Sequence, residues 1–161
     1  MPIDTKNYKW LDKLGTLPRM IAEARKLIDT YEHSGATNNP VIMDWAKEVD
    51  PGGSDGYTAD SIPWCGLFMA VVARRAGKTP PVKPYWALNW GKFGVDGGQP
   101  ELGDVLTFIR TAADGSRGGH VALYVGEDAS CYHVLGETRP TGCVSSGRRR
   151  TASSRSASRR I

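Results

Sequence analysis

Ile62-Pro63-Trp64-Cys65-Gly66-Leu67-Phe68-Met69-Ala70-Val71-Val72-Ala73-Arg74-Arg75-Ala76-Gly77 is the stretch on which the fold and chemistry of this chain turn. The run is apolar nearly all round, as a helix buried on every side must be. Ser61 or Ile62 precedes it, two arginines fall in its last turn, and Gly77 can end it. The pattern predicts a central helix over about 63–76. Cys65 then lies in the first turn, where backbone N–H groups lack intrahelical acceptors and the helix dipole favours an anion. A thiol there is biased towards the nucleophilic thiolate. The competing reading is a cysteine packed as a small hydrophobe, the commoner fate of the residue. Gly66 would let a substrate backbone approach the sulfur closely.

Upstream, Thr16 and Pro18 open an amphipathic helix over about 17–31, with Met20, Ile21, Ala24, Leu27, Ile28 and Tyr31 on one stripe. Asn39 is a good N-cap and Pro40 a good first residue for a second helix carrying Val41, Ile42, Trp45, Ala46 and Val49. Residues 50–61, DPGGSDGYTADS, are loop by composition. The Pro-, Gly- and aromatic-rich stretch 78–98 places Trp86, Trp90 and Phe93 on a surface or core edge. Three short runs follow, Val105–Arg110, His120–Gly126 and Cys131–Leu135. Their close succession predicts an antiparallel meander.

His120 follows Gly118-Gly119 and opens a strand, which suits a base receiving the Cys65 proton; an ordinary half-buried histidine is the alternative. Glu137, just past the third strand, is the candidate for orienting the imidazole, or else a solvated turn carboxylate. His133 competes for that role but has apolar neighbours. Trp64 and Trp86 are candidate cleft walls, although tryptophan more often fills a core.

The chain has 161 residues, the size of one domain, and 40% apolar content. Its net charge of +4 is an average over unlike parts. Residues 139–161 hold seven arginines and no acid, leaving 14 bases against 17 acids, or −3, in residues 1–138. From Pro140 onward the Ser/Arg-rich sequence has no apolar periodicity, predicting a disordered tail over 145–161 after a domain over 1–144. No apolar run is long enough to span a membrane. Residues 1–10 lack a secretory signal pattern, so the chain is expected to be made in the cytoplasm. Three cysteines without short spacing suggest neither a disulfide framework nor a zinc or redox motif; reduced thiols, no metal and no cofactor are expected. The tail would bind polyanions, but the body lacks the basic-aromatic pattern of an RNA-binding sheet, so nucleic acid is not the expected partner.

Taken together, Pro63-Trp64-Cys65-Gly66-Leu67-Phe68, Gly103-Asp104-Val105 and Gly118-Gly119-His120-Val121-Ala122-Leu123-Tyr124-Val125-Gly126 resemble the NlpC/P60–CHAP superfamily of cysteine peptidases. Asn38-Asn39-Pro40 and Trp90-Gly91 are similar to a phage-associated branch of it, and the resemblance covers about 17–138. It implies an α+β, papain-like core with the nucleophile helix packed on an antiparallel sheet, and residues 1–50 as a helical N-terminal part. It implies Cys65 and His120 as the catalytic pair, Glu137 as third residue, and Trp64, Gly66, Trp86 and Gly119 around the substrate. The implied activity is peptidoglycan endopeptidase or amidase, as in a bacteriophage endolysin, acting at the cell wall on its peptide after phage delivery. The arginine tail would meet anionic wall polymers. An idle wall-binding or structural module on the same fold is the alternative. Two departures stand out. Leu135-Gly136-Glu137-Thr138-Arg139 lacks the branch's asparagine, and where relatives continue with an apolar strand this sequence turns Ser/Arg-rich, so that strand is absent, replaced or truncated.

Overall fold

The computed structural model describes residues 9–28, 30, 33–96, 99–111, 113–136, 142–145 and 150–155. It is α+β: helices packed against an antiparallel sheet. Helix α1 is Arg19–Arg25, shorter than the apolar stripe predicts. Beyond it the chain tightens into turns in which Leu27 N–H bonds Ala24 O (3.0 Å) and Thr30 N–H bonds Leu27 O (3.2 Å). Leu27 and Ile28 thereby stay buried without α-helical spacing.

Helix α2, Pro40–Val49, forms as its caps dictate. The Asn39 side chain accepts the Val41 N–H at 2.9 Å, and proline occupies the first position. Helix α3 is Cys65–Arg75, and every residue from Cys65 to Ala73 is buried. It ends where Gly77 takes φ +78° and the Lys78 N–H reaches back to Ala73 O at 2.8 Å, a left-handed closure open to glycine at little cost. Arg75 ties α3 to α2 through both Glu48 oxygens, at 3.2 and 2.9 Å. The loops preceding these helices are joined by Asp60. Its buried carboxylate accepts the N–H groups of Asn39 (2.7 Å) and His33 (2.9 Å), and these bonds hold its pKa below the usual carboxylate value.

The strands are β1 (Val95–Asp96), β2 (Val105–Thr111), β3 (Arg117–Glu127), β4 (Cys131–Leu135), β5 (Gly142–Ser145) and β6 (Arg150–Arg155), in the spatial order β1-β6-β2-β3-β4-β5. The predicted meander is β2-β3-β4. Gly103-Asp104 starts it: Gly103 N–H bonds Tyr124 O (2.9 Å) and Tyr124 N–H bonds Asp104 O (2.8 Å), while the Asp104 carboxylate accepts Glu101 N–H (2.8 Å). Along β3, Val121, Leu123 and Val125 join the main core with α3 and α2, whereas Ala122 and Tyr124 pack with Leu106, Phe108 and Val134 in a second cluster. This is the two-sided alternation of a strand covered on both faces.

The tail departs from its prediction. Gly142–Ser145 pairs with β4, and Arg150–Arg155 lies between β1 and β2. Apolar periodicity was the wrong signal here, because strand pairing is made by backbone groups. β2 is buried at Val105, Leu106 and Phe108, and its second edge needs a hydrogen-bonding partner whatever that partner's side chains. The remainder of 137–161 lies outside the described residues. No helix among the described residues is long and apolar enough to cross a membrane.

Candidate functional site

Cys65 is the first residue of α3 and is 5% exposed. Trp64 precedes it without a side-chain cap, and its carbonyl accepts the first helical bond from Phe68 N–H at 2.8 Å. The amides of Cys65, Gly66 and Leu67 therefore precede the intrahelical ladder and lie at the positive end of the helix dipole. Cys65 is not part of a disulfide.

Two expected substrate contacts are instead internal. Trp64 is 2% exposed, its ring 6.1 Å from Trp45 and 6.5 Å from Phe68, so it is core rather than cleft wall. At Gly66 a Cβ would stand 2.2 Å from Pro84 O and 2.8 Å from Tyr85 C. The backbone that needs this close approach is the chain's own.

That backbone begins a segment missed in the sequence. Trp90 Nε1 donates to Pro84 O (2.9 Å), and Asn89 Nδ2 donates to the carbonyls of Val82 (3.2 Å) and Lys83 (3.0 Å). Ala87–Lys92 forms a 3₁₀ turn anchored by buried Trp90 and, just beyond, buried Phe93. The same segment touches the sheet at Gly119, where a Cβ would meet Leu88 Cγ at 2.7 Å and Ala87 Cβ at 3.2 Å. Residues 84–88 thus rest on Gly66, next to Cys65, at one end and on Gly119, next to His120, at the other. Trp86 lies between them and is 70% exposed. Beside it, desolvation together with Asp50 and Asp55 pushes the Tyr85 pKa up to about 12.

His120 is 8% exposed and pairs across the ladder with Phe108. The two rings stack with centroids 6.4 Å apart and planes at 28°. β3 begins at Arg117 rather than at the histidine, so His120 lies inside the ladder. Its ring packs with a member of the second cluster, while Cys65 belongs to the main one. Glu137 lies outside the described residues. His133 is no competitor for its role. It stands opposite Gly126, about 20 Å along β3 from His120 at roughly 3.3 Å per residue.

His133 belongs to a group that linear spacing concealed. Its Nε2 lies 2.7 Å from Asp128 Oδ2 and 3.9 Å from Cys131 Sγ, and Cys131 Sγ lies 3.6 Å from that same oxygen. Hydrogen bonds from Ser130 N–H first, then from His133 and the Ser130 hydroxyl, hold the Asp128 pKa far below the usual carboxylate value. Cys131 is disulfide-bonded, which corrects the expectation of reduced thiols. The strand register sets Cys143 opposite His133. The fold also assembles a His/Cys/carboxylate set where none was expected from spacing. No protein-family description matches this chain, and neither does any curated protein or solved structure.

Proposed function

We propose that the chain is a peptidoglycan hydrolase that cleaves an amide of cell-wall peptide, with Cys65 as nucleophile and His120 as general base. The observation that carries this is the bridge at 84–88. One pinned segment borders the neighbours of both residues and carries an exposed tryptophan between its two contacts, a surface on which a peptide or sugar ring can lie. The helix start at Cys65 supplies amides and a dipole suited to a thiolate and to an oxyanion.

In the proposed reaction His120 takes the Cys65 proton and the sulfur attacks the amide carbonyl carbon. The C–N bond then breaks as the imidazolium protonates the leaving amine. Water, deprotonated by His120, attacks the thioester, and the carboxylic acid leaves with the thiolate restored. The tail arginines are proposed to hold the protein on anionic wall polymers.

Phe108 favours a second proposal, an idle module on this fold, because its ring stacks with the His120 ring. Digestion of purified peptidoglycan, with released ends identified by mass, separates the two. New amine ends that vanish with Cys65→Ser and with His120→Ala support the hydrolase. Undigested wall, with Cys65 reacting no faster with iodoacetamide than a model thiol at neutral pH, supports the idle module.

A further inference from the structure

We propose that Asp128 Oδ2, Cys131 Sγ and His133 Nε2 form a redox-gated site for one borderline-soft divalent cation, Zn²⁺, closed while Cys131 is in its disulfide and open once it is reduced. The three atoms already lie 2.7, 3.6 and 3.9 Å from one another. With zinc bonds of about 2.3 Å to sulfur and 2.0 Å to nitrogen or oxygen, the edges of the tetrahedron are about 3.3 Å between nitrogen and oxygen and about 3.5 Å to sulfur. The Asp128–His133 edge has to open by roughly half an ångström, and the Cys131–His133 edge to close by about 0.4 Å, on that comparison.

The carboxylate is prepared for the task. Ser130 N–H (2.8 Å), Ser130 Oγ (2.8 Å) and Cys131 N–H (3.0 Å) all bond Asp128 Oδ1. They turn the other oxygen towards the histidine and the sulfur, as outer-shell donors orient a ligating carboxylate. His133 and Cys131 are buried while Asp128 is exposed, so an ion enters from the turn and meets the thiolate last. One carboxylate, one imidazole and one thiolate suit zinc rather than magnesium or calcium, which prefer all-oxygen shells. Three protein ligands leave a fourth position for water.

The gate is a two-electron exchange. A dithiol reductant attacks the Cys131 disulfide, the S–S bond breaks, two protein thiols form, and the reductant leaves as its own disulfide. Zinc then displaces the Cys131 thiol proton to solvent. While the disulfide persists no thiolate exists, and the site lacks its softest ligand.

The test uses the full chain carrying Cys65→Ser, which removes the thiol that lies outside the disulfide. It is reduced with dithiothreitol, desalted without oxygen and titrated with Co²⁺, then Zn²⁺. One equivalent of Co²⁺ should give a thiolate-to-cobalt charge-transfer band and tetrahedral d–d bands, both abolished by Zn²⁺; the oxidised chain should give neither. Loss of an outer-shell partner costs metal affinity about 10–100-fold, so Asp128→Asn and His133→Gln should each weaken Zn²⁺ at least that much. Asp128 is exposed, so its variant keeps the test decisive if His133→Gln fails to fold. The proposal is overturned if the reduced chain shows no charge-transfer band. It is equally overturned if the oxidised chain shows the same band, or if Asp128→Asn binds Zn²⁺ as tightly as its parent.

Discussion

Cys65 and Cys131 are both buried, yet their surroundings differ in kind. Cys65 starts a helix packed into the main apolar core, with backbone amides and a glycine-seated segment around it. Cys131 starts a strand beside a histidine and a carboxylate, and its sulfur is oxidised. A thiolate at Cys65 would be favoured by helix-end amides and the dipole. At Cys131 the neighbouring polar groups are the Asp128 carboxylate, 3.6 Å from the sulfur, and the His133 imidazole, 3.9 Å from it. Burial alone says nothing of a cysteine's chemistry; the electrostatics at its sulfur decide it.

The largest effect expected from breaking this contrast is on turnover. Cys65→Ala should lower wall digestion by about 10³-fold or more while leaving the far-UV spectrum intact, and Cys131→Ala should retain digestion. A folded Cys65→Ala protein that still digests wall would end the assignment. The next effect is on the segment that joins the two candidate residues. Gly66→Ala drives a Cβ into Pro84 O, a backbone atom, and should cost about 3 kcal/mol or more in urea unfolding. Gly119→Ala meets the movable Leu88 side chain and should cost only about 1 kcal/mol. Equal costs would mean that the segment rests differently at its two ends.

Cutting the chain after Ser145 removes β6 and leaves β2 with an unpaired edge. The lost ladder should cost about 2 kcal/mol in the same assay; a truncated chain as stable as the full one would show that β6 adds nothing to the sheet.

Much of this arrangement was readable beforehand. α2 and α3 announce themselves by cap, proline and apolar pattern, and the meander by its short runs. The candidate cysteine and histidine could be named, but their setting could not. His120 was expected at a strand mouth, whereas β3 begins three residues earlier, at glycines and an arginine with no apolar alternation to mark them. The 84–88 bridge depends on carbonyls accepting from Trp90 and Asn89, which no hydrophobic period encodes. Asp128, Cys131 and His133 were each visible, but only the turn between β3 and β4 makes them neighbours. β5 and β6 escaped because backbone pairing leaves no trace in side-chain composition.

Two smaller effects sharpen the electrostatic side. The folded pKa of Asp60 is depressed, so its stabilisation is full above the unfolded carboxylate value and is lost as pH falls through the folded value. Asp60→Asn should lower Tm by about 3 °C at pH 7, with the difference closing as the pH is made strongly acid. The smallest effect is at Tyr85, whose raised pKa makes the sign opposite. Its contribution is complete below about 10, the ordinary tyrosine value, and is lost as pH rises through about 12. Between those limits wild type should lose slightly more Tm than Tyr85→Phe; parallel curves would remove Tyr85 from the buried electrostatics.

The place of β6 in the sheet has a consequence for biosynthesis. Arg155 pairs with Val95, and Ser154 with both Asp96 and Val105, so the last described strand is inserted between two made much earlier. A growing chain can assemble α2, α3 and the meander while still attached to the ribosome. It cannot close its sheet until Arg155 has cleared the exit tunnel. At roughly 5–20 residues per second, the interval between the emergence of β2 and that of β6 lasts seconds. For that interval the edge of β2 that β6 will cover presents unpaired backbone groups, to which a strand of another chain could add.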